Sequence, residues 1–169
     1  MYDFRIEAAD KASLYRELIA AADALTAGEA DPIANMANVA ALLWEALPDL
    51  NWAGFYRHAG GELVLGPFQG RPACIRIPFG KGVCGTAAAT REIQCIADVQ
   101  AFPGHIACDA ASRSELVVPI VRDGALIAVL DLDSPTPGRF DAGDVAGCAE
   151  LAQLLAPRLG GVADGAPAG

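Results

Sequence analysis

The sequence predicts an α+β domain in which an antiparallel sheet is covered on one face by N- and C-terminal helices. Three observations carry this expectation. Apolar residues recur at helical spacing before Pro48 and again after Asp141, the period between them changes to two, and the strands form hairpins instead of alternating with helices.

The first helix is expected from Asp10 to about Leu25, where Leu14, Leu18 and Leu25 align with Tyr15, Ile19 and Ala22, and Gly28 ends it. The second lies in "DPIANMANVAALLWEAL": Asp31 can cap, Pro32 suits the first helical position, and Ile33, Met36, Val39, Ala40, Leu43 and Leu47 share a face before Pro48. From Asn51, "NWAGFYRH" and "ELVLG" flank Ala59, Gly60 and Gly61 as a hairpin, and a third short strand fits "CIRIPF".

The section from Gly80 to Ser114 supplies a loop and short helix in "GKGVCGTAAAT", a short strand in "IQCIADV", and then the small-residue loop "GHIACDAAS". An irregular connection of this length is more often functional than passive. The clearest hairpin, "SELVVPIVRDGALIAVLDLDSP", turns at Asp123-Gly124, and Pro119 marks an edge position or a bulge in its first strand. A last helix begins near Asp141 with Val145, Cys148, Ala152 and Leu155 on one side. Residues 1–160 are expected to form one domain, and the composition of residues 161–169, "GVADGAPAG", is that of a flexible tail.

A chain of 169 residues, 53% hydrophobic, is long enough for one core. Its net charge of −9 and pI near 4.5 argue against nucleic acid, whose phosphates require a Lys/Arg surface. No apolar run approaches the roughly 20 residues of a membrane span, and the opening "MYDFRIEAADK" has no signal-peptide character, so a cytoplasmic location is expected. In a reducing compartment the five cysteines read as buried, metal-bound or catalytic, and their odd number argues against a framework of paired bridges.

Several residues stand out chemically. Trp52, Gly54 and Tyr56 alternate onto one face of a strand, either as core aromatics or as an apolar box in which Gly54 leaves room for a ligand. Asp131 and Asp133 also share a face, opposite Leu130 and Leu132, and as a pair they can hold an ammonium group if they are not simply strand-end surface residues. With an ideal two-residue turn at Asp123-Gly124, Leu116 would face Asp131 and Glu115 would point away, so a shared acidic site requires a bulge or a wider turn.

Among the thiols, Cys148 lies on an apolar helix stripe, Cys74 begins an alternating strand and Cys95 sits in a short strand without special features. Cys84 falls at a glycine-rich helix start, where backbone N–H groups would stabilise a thiolate, and Cys108 occupies the irregular loop after His105. A zinc site drawn from Cys74, Cys84, Cys95, His105 and Cys108 is the weaker alternative to redox use. Only His105-x-x-Cys108 has the spacing of a ligand pair, and no metal is expected.

The strings "NWAGFY", "PFQGRPACIRIPFGKGVCGTAAAT", "DVQAFPGHIACDAASRSELVVPI" and "AVLDLDSPTPGRFD" resemble the free methionine-(R)-sulfoxide reductases, which are single GAF domains. The resemblance covers most of the chain from about Asn51 to Phe140. It implies a ligand pocket roofed by the middle insert, on the face opposite the terminal helices. It also implies that the family's three cysteines fall on Cys74, Cys84 and Cys108, with Cys108 the nucleophile, while Cys95 and Cys148 have no counterpart. Trp52 and Tyr56 would enclose the methyl-thioether end of the substrate, and Glu115, Asp131 and Asp133 would handle its amino group and sulfoxide oxygen.

On that resemblance, Glu115 is the expected proton donor, with Asp131 or Asp133 as rival. Attack would leave Cys108 as a sulfenic acid, and a second thiol would condense with it. Cys74 is preferred for that step and Cys84 stands as an auxiliary or competing partner. No bound cofactor is expected. Thioredoxin, with NADPH and thioredoxin reductase, would restore the dithiol, and a homodimer is implied. The rival function is a GAF module that binds or senses a small ligand without chemistry; the three cysteines separate the two readings, because a passive binder does not need them.

Overall fold

Residue 6 and residues 8–102 and 111–160 are described by the computed structural model, so His105, Cys108 and the expected tail 161–169 lie outside the described residues. The helix starts follow the capping logic of the sequence. Asp10 accepts a hydrogen bond from the Ser13 N–H (2.7 Å) to open α1, Lys11–Thr26. Asp31 accepts from Ile33 and Ala34 (2.8 and 2.9 Å) to open α2, Pro32–Ala46, with Pro32 in the first turn. The last helix, which follows the sheet, opens with a reciprocal box: Asp141 accepts from the Gly143 and Asp144 amides, and the Asp144 carboxylate accepts from the Asp141 amide.

Among the described residues six strands form one antiparallel sheet: β1 Trp52–Ala59, β2 Glu62–Gly70, β3 Arg76–Pro78, β4 Gln94–Ile96, β5 Ser114–Arg122 and β6 Ala125–Ser134, in the order β3-β2-β1-β6-β5-β4. Both tight hairpins turn through two residues of positive φ, Gly60-Gly61 (61° and 82°) and Asp123-Gly124 (50° and 77°), the geometry that matches strand twist.

β2 runs past its expected end at Gly66. Phe55 of β1 stands against two residues, Gly66 and Pro67, because Gly54 pairs with Phe68 while Tyr56 pairs with Leu65. Pro67 is tolerated there because β3 covers β2 only at residues 62–64. Pro119 of β5 likewise lies beyond β4, whose pairing with β5 stops at Val117, so its edge position is as expected.

Alternation along the strands divides the apolar residues between the two faces of the sheet. Ala53, Phe55, Leu116, Val118, Ile120, Ala128, Leu130 and Leu132 pack under α2 and α4 (Ala142–Leu159), with α1 packed against those two helices. Trp52, Tyr56, Val117 and Val129 face the other way and pack with Val83, Cys84 and Ala87 of α3, Gly82–Thr90, the short helix of the middle section. The helices therefore cover the face opposite the insert. Among the described residues no helix is long and apolar enough to cross a membrane.

Candidate active site on the insert face

The position of Glu115 turns on one extra residue. Across β5 and β6, Glu115 pairs with Asp133, Leu116 with Leu132 and Val117 with Asp131, but toward the turn Ile120 pairs with Ala128 and Val121 with Leu126. Ile127 has no partner in this register. It is a β-bulge, and it shifts the rest of β6 by one position so that Glu115 joins the face of Asp131 and Asp133. The distortion that a shared acidic site requires thus exists, in β6 at Ile127 and not at Pro119, which stays in register opposite Val129.

The second contributor is α3. Its first turn lays Cys84 over the sheet, where the thiol donates to Glu115 Oε1 at 3.9 Å. Donor atoms of Cys84, Glu115 and Asp131 all lie within 4.8 Å of one another. All three residues are buried, and Asp131 Oδ1 has no hydrogen-bond partner among the described residues.

Burial sets the electrostatics. It pushes the Glu115 carboxyl well above the usual carboxylate range, and the charges of Asp131 and Asp133 push it further. Asp131 is raised by burial to about 7, an effect that a hydrogen bond from Cys84 opposes. The Cys84 thiol is held well above its ordinary value by burial, then by Asp131 and Glu115. Burial, reinforced by the two acids, thus opposes the thiolate that the N-terminal amides of α3 are expected to stabilise at Cys84.

The aromatic wall has a different construction from the one expected. Trp52 stacks on Tyr56 (centroids 5.7 Å, planes 21° apart) and on Phe68 (5.2 Å, 13°), and its indole N–H donates to the Arg71 carbonyl at 3.2 Å. Gly54 leaves no room for a ligand. A Cβ there would lie 2.4 Å from Phe68 Cβ and 2.8 Å from the Pro67 carbonyl, so the missing side chain admits the bulged β2 strand.

The remaining sulfurs separate. Cys74 lies in the loop before β3, half-buried against the cluster that contains Cys84. Cys95 pairs with Leu116 and therefore faces the helical layer, where its thiol donates to the Phe140 carbonyl at 3.7 Å. Cys148 is buried in that layer, donating to the Tyr15 hydroxyl at 3.7 Å. A zinc set combining Cys84 with Cys95 is excluded by this division.

The protein matches the GAF domain family over residues 34–159. The chain belongs to the GAF-domain family. It is 52% identical over 146 residues to the free methionine-R-sulfoxide reductase of Escherichia coli (86% of this chain, 88% of the relative). It is 43% identical over 154 residues to the enzyme of the same name from Saccharomyces cerevisiae (86% of each chain). The crystal structure of free methionine-R-sulfoxide reductase from Neisseria meningitidis in complex with its substrate superposes with a TM-score of 0.90 at 48% identity, covering 94% of this chain and 96% of that one.

In this GAF domain, the chain on either side of residues 103–110 is pinned to the frame. The Val99 amide donates to the Arg113 carbonyl (2.9 Å), the Arg113 amide to the Ser134 carbonyl (2.7 Å), and the Asn51 side-chain amide to Ser112 Oγ (3.0 Å). Sequence reasoning missed Phe68 and Ile127. For Phe68 the Gly66-Pro67 pair, which breaks the strand pattern, is the usable signal; Ile127 sits in an unbroken apolar run and carries none.

Proposed function

We propose that this protein reduces free L-methionine-(R)-sulfoxide to methionine. The observation that carries the reading is the buried Glu115 beside Asp131 and Asp133, on the sheet face that also carries the Trp52, Tyr56 and Phe68 stack. The reductase names of the Escherichia coli and yeast relatives support it.

The pocket divides its work by charge. An apolar aromatic wall suits the methyl-thioether end, and an ionised carboxylate from Asp131 or Asp133 suits the ammonium group, a feature that peptide-bound methionine sulfoxide lacks. Glu115, whose carboxyl burial pushes well above the usual carboxylate range, donates a proton to the sulfoxide oxygen as the Cys108 thiolate attacks sulfur. Oxygen moves to Cys108, giving a sulfenic acid and methionine. Condensation with the Cys74 thiol releases water and leaves a disulfide, with Cys84 as the auxiliary partner. Thioredoxin, recharged by NADPH and thioredoxin reductase, takes the two oxidising equivalents. The working protein is a cytoplasmic homodimer.

The test follows NADPH oxidation with thioredoxin, thioredoxin reductase and the free R-sulfoxide. Wild type should turn over and Cys108→Ser should not. Methionine binding without turnover in wild type would make the protein a ligand-binding module instead. Peptide mass mapping of the oxidised protein should find Cys74 joined to Cys108; a dominant Cys84 link would reassign the resolving thiol.

A further inference from the structure

Cys84, Glu115 and Asp131 come from α3, β5 and β6, so no sequence spacing links them as ligands. Three features set their cluster apart from a surface group of acids. Each residue is buried, a sulfur donor stands among the oxygens, and Asp131 Oδ1, 5% exposed as a residue, lacks a hydrogen-bond partner among the described residues. An ammonium group would use the oxygens alone, whereas the Cys84 sulfur, assigned above as an auxiliary thiol, is also a metal donor.

We propose that these side chains form a binding site for a divalent cation of the zinc class. A tetrahedral ion bound at its usual bond lengths holds neighbouring donors roughly 3.5 Å apart. Cys84 Sγ and Glu115 Oε1 are already 3.9 Å apart, and all three donors fall within 4.8 Å, so entry of the ion requires a contraction of no more than about 1.3 Å. One thiolate and two carboxylates match zinc, cobalt and cadmium. Calcium takes more oxygens, and magnesium keeps its own waters. As the ion enters, the protons of the thiol and of any protonated carboxyl leave to solvent, so the cation replaces protons and no electron transfer is involved. Three protein donors leave a fourth position open to water. The proposal stands apart from reductase activity, although the ion would occupy the acids assigned above to the substrate.

The test is a Co²⁺ titration of the reduced Cys74→Ser/Cys95→Ser/Cys108→Ser protein, which removes the accessible competing thiols and keeps Cys84. The expected result is one ion per chain, a near-ultraviolet thiolate-to-cobalt band, and displacement of cobalt by Zn²⁺. Adding Cys84→Ser should abolish the band, and Asp131→Asn or Glu115→Gln should weaken binding at least about tenfold. Circular dichroism checks that each variant is folded, and either carboxylate variant suffices if the other is not. No band in the parent, a band that survives Cys84→Ser, or full affinity in the folded carboxylate variants would overturn the proposal. Free methionine added to the cobalt protein separates the two readings. Displacement places ion and ligand in one cavity, whereas a Cys84-dependent band that methionine leaves unchanged upholds the ion site and removes these acids from substrate contact.

Discussion

Glu115 on β5 stands directly across from Asp133 on β6, and Val117 stands across from Asp131. Three carboxyl groups share one sheet face in consequence, and the unpaired Ile127 produces this register. Deleting Ile127 would force every residue from Ala128 to Asp133 to change faces or abandon its pairing, driving the acids toward the helical core. The deletion variant should lose several degrees of melting temperature and all measurable methionine binding. Retention of both would mean that β6 absorbs the deletion elsewhere.

Burial of Asp131 has a pH signature. Its carboxyl is raised from 3.8 to about 7, so between those values the unfolded chain releases a proton that the folded protein keeps. Stability therefore falls as pH rises through that window, by at most about 1.4 kcal/mol per pH unit for one group. Glu115, raised from 4.5 upward, acts with the same sign. Urea midpoints at pH 5 and pH 7 should differ more for wild type than for Asp131→Asn. Equal differences would show Asp131 ionised in the folded state.

A methyl group at position 54 meets the bulged strand. Gly54→Ala places its Cβ 2.4 Å from Phe68 Cβ, and the resulting displacement should cost about 1–3 kcal/mol and loosen the Trp52–Phe68 stack. Denaturant titration measures the first effect and tryptophan fluorescence the second. A variant with unaltered stability and emission would remove the close-approach role from Gly54.

The Cys84 thiol, 4% exposed and held protonated by burial and neighbouring acids, should resist alkylation in the native protein. Cys95, which is exposed, should be labelled well before Cys84 under iodoacetamide, as followed by peptide mass mapping. Comparable labelling rates at the two positions would contradict the described setting of Cys84.

A buried tyrosine tests the opposite layer. The Tyr15 hydroxyl donates to Asp144 Oδ1 at 2.9 Å, and Tyr15→Phe should cost about 1–2 kcal/mol while leaving ligand binding on the other sheet face unchanged. Parallel melting and binding measurements check this, and weakened binding would reveal communication through the sheet.

Elements governed by local chemistry were legible in the sequence. Asp31 and Pro32 start α2, Asp141 starts α4, and Asp123-Gly124 and Gly60-Gly61 close the hairpins, because caps and positive-φ turns depend on neighbouring residues. The pairing of Asp131 with Asp133 was legible from strand alternation. What depended on distant strands was not. Ile127 reads as one more apolar residue, the use of Gly54 depends on Phe68 in another strand, and the raised pKa of Cys84 comes from burial against the sheet and then from acids on β5 and β6.

The two apolar clusters lie back to back, and β1, β5 and β6 contribute alternate residues to both. The sheet works as a party wall. One tenant supplies the cohesion of the molecule through the three long helices, and the other can be refurnished with thiols, acids or aromatics without disturbing its neighbour's packing. Substitutions on the insert face are thus free to change which small molecule is held, or whether it reacts, while the chain keeps its shape.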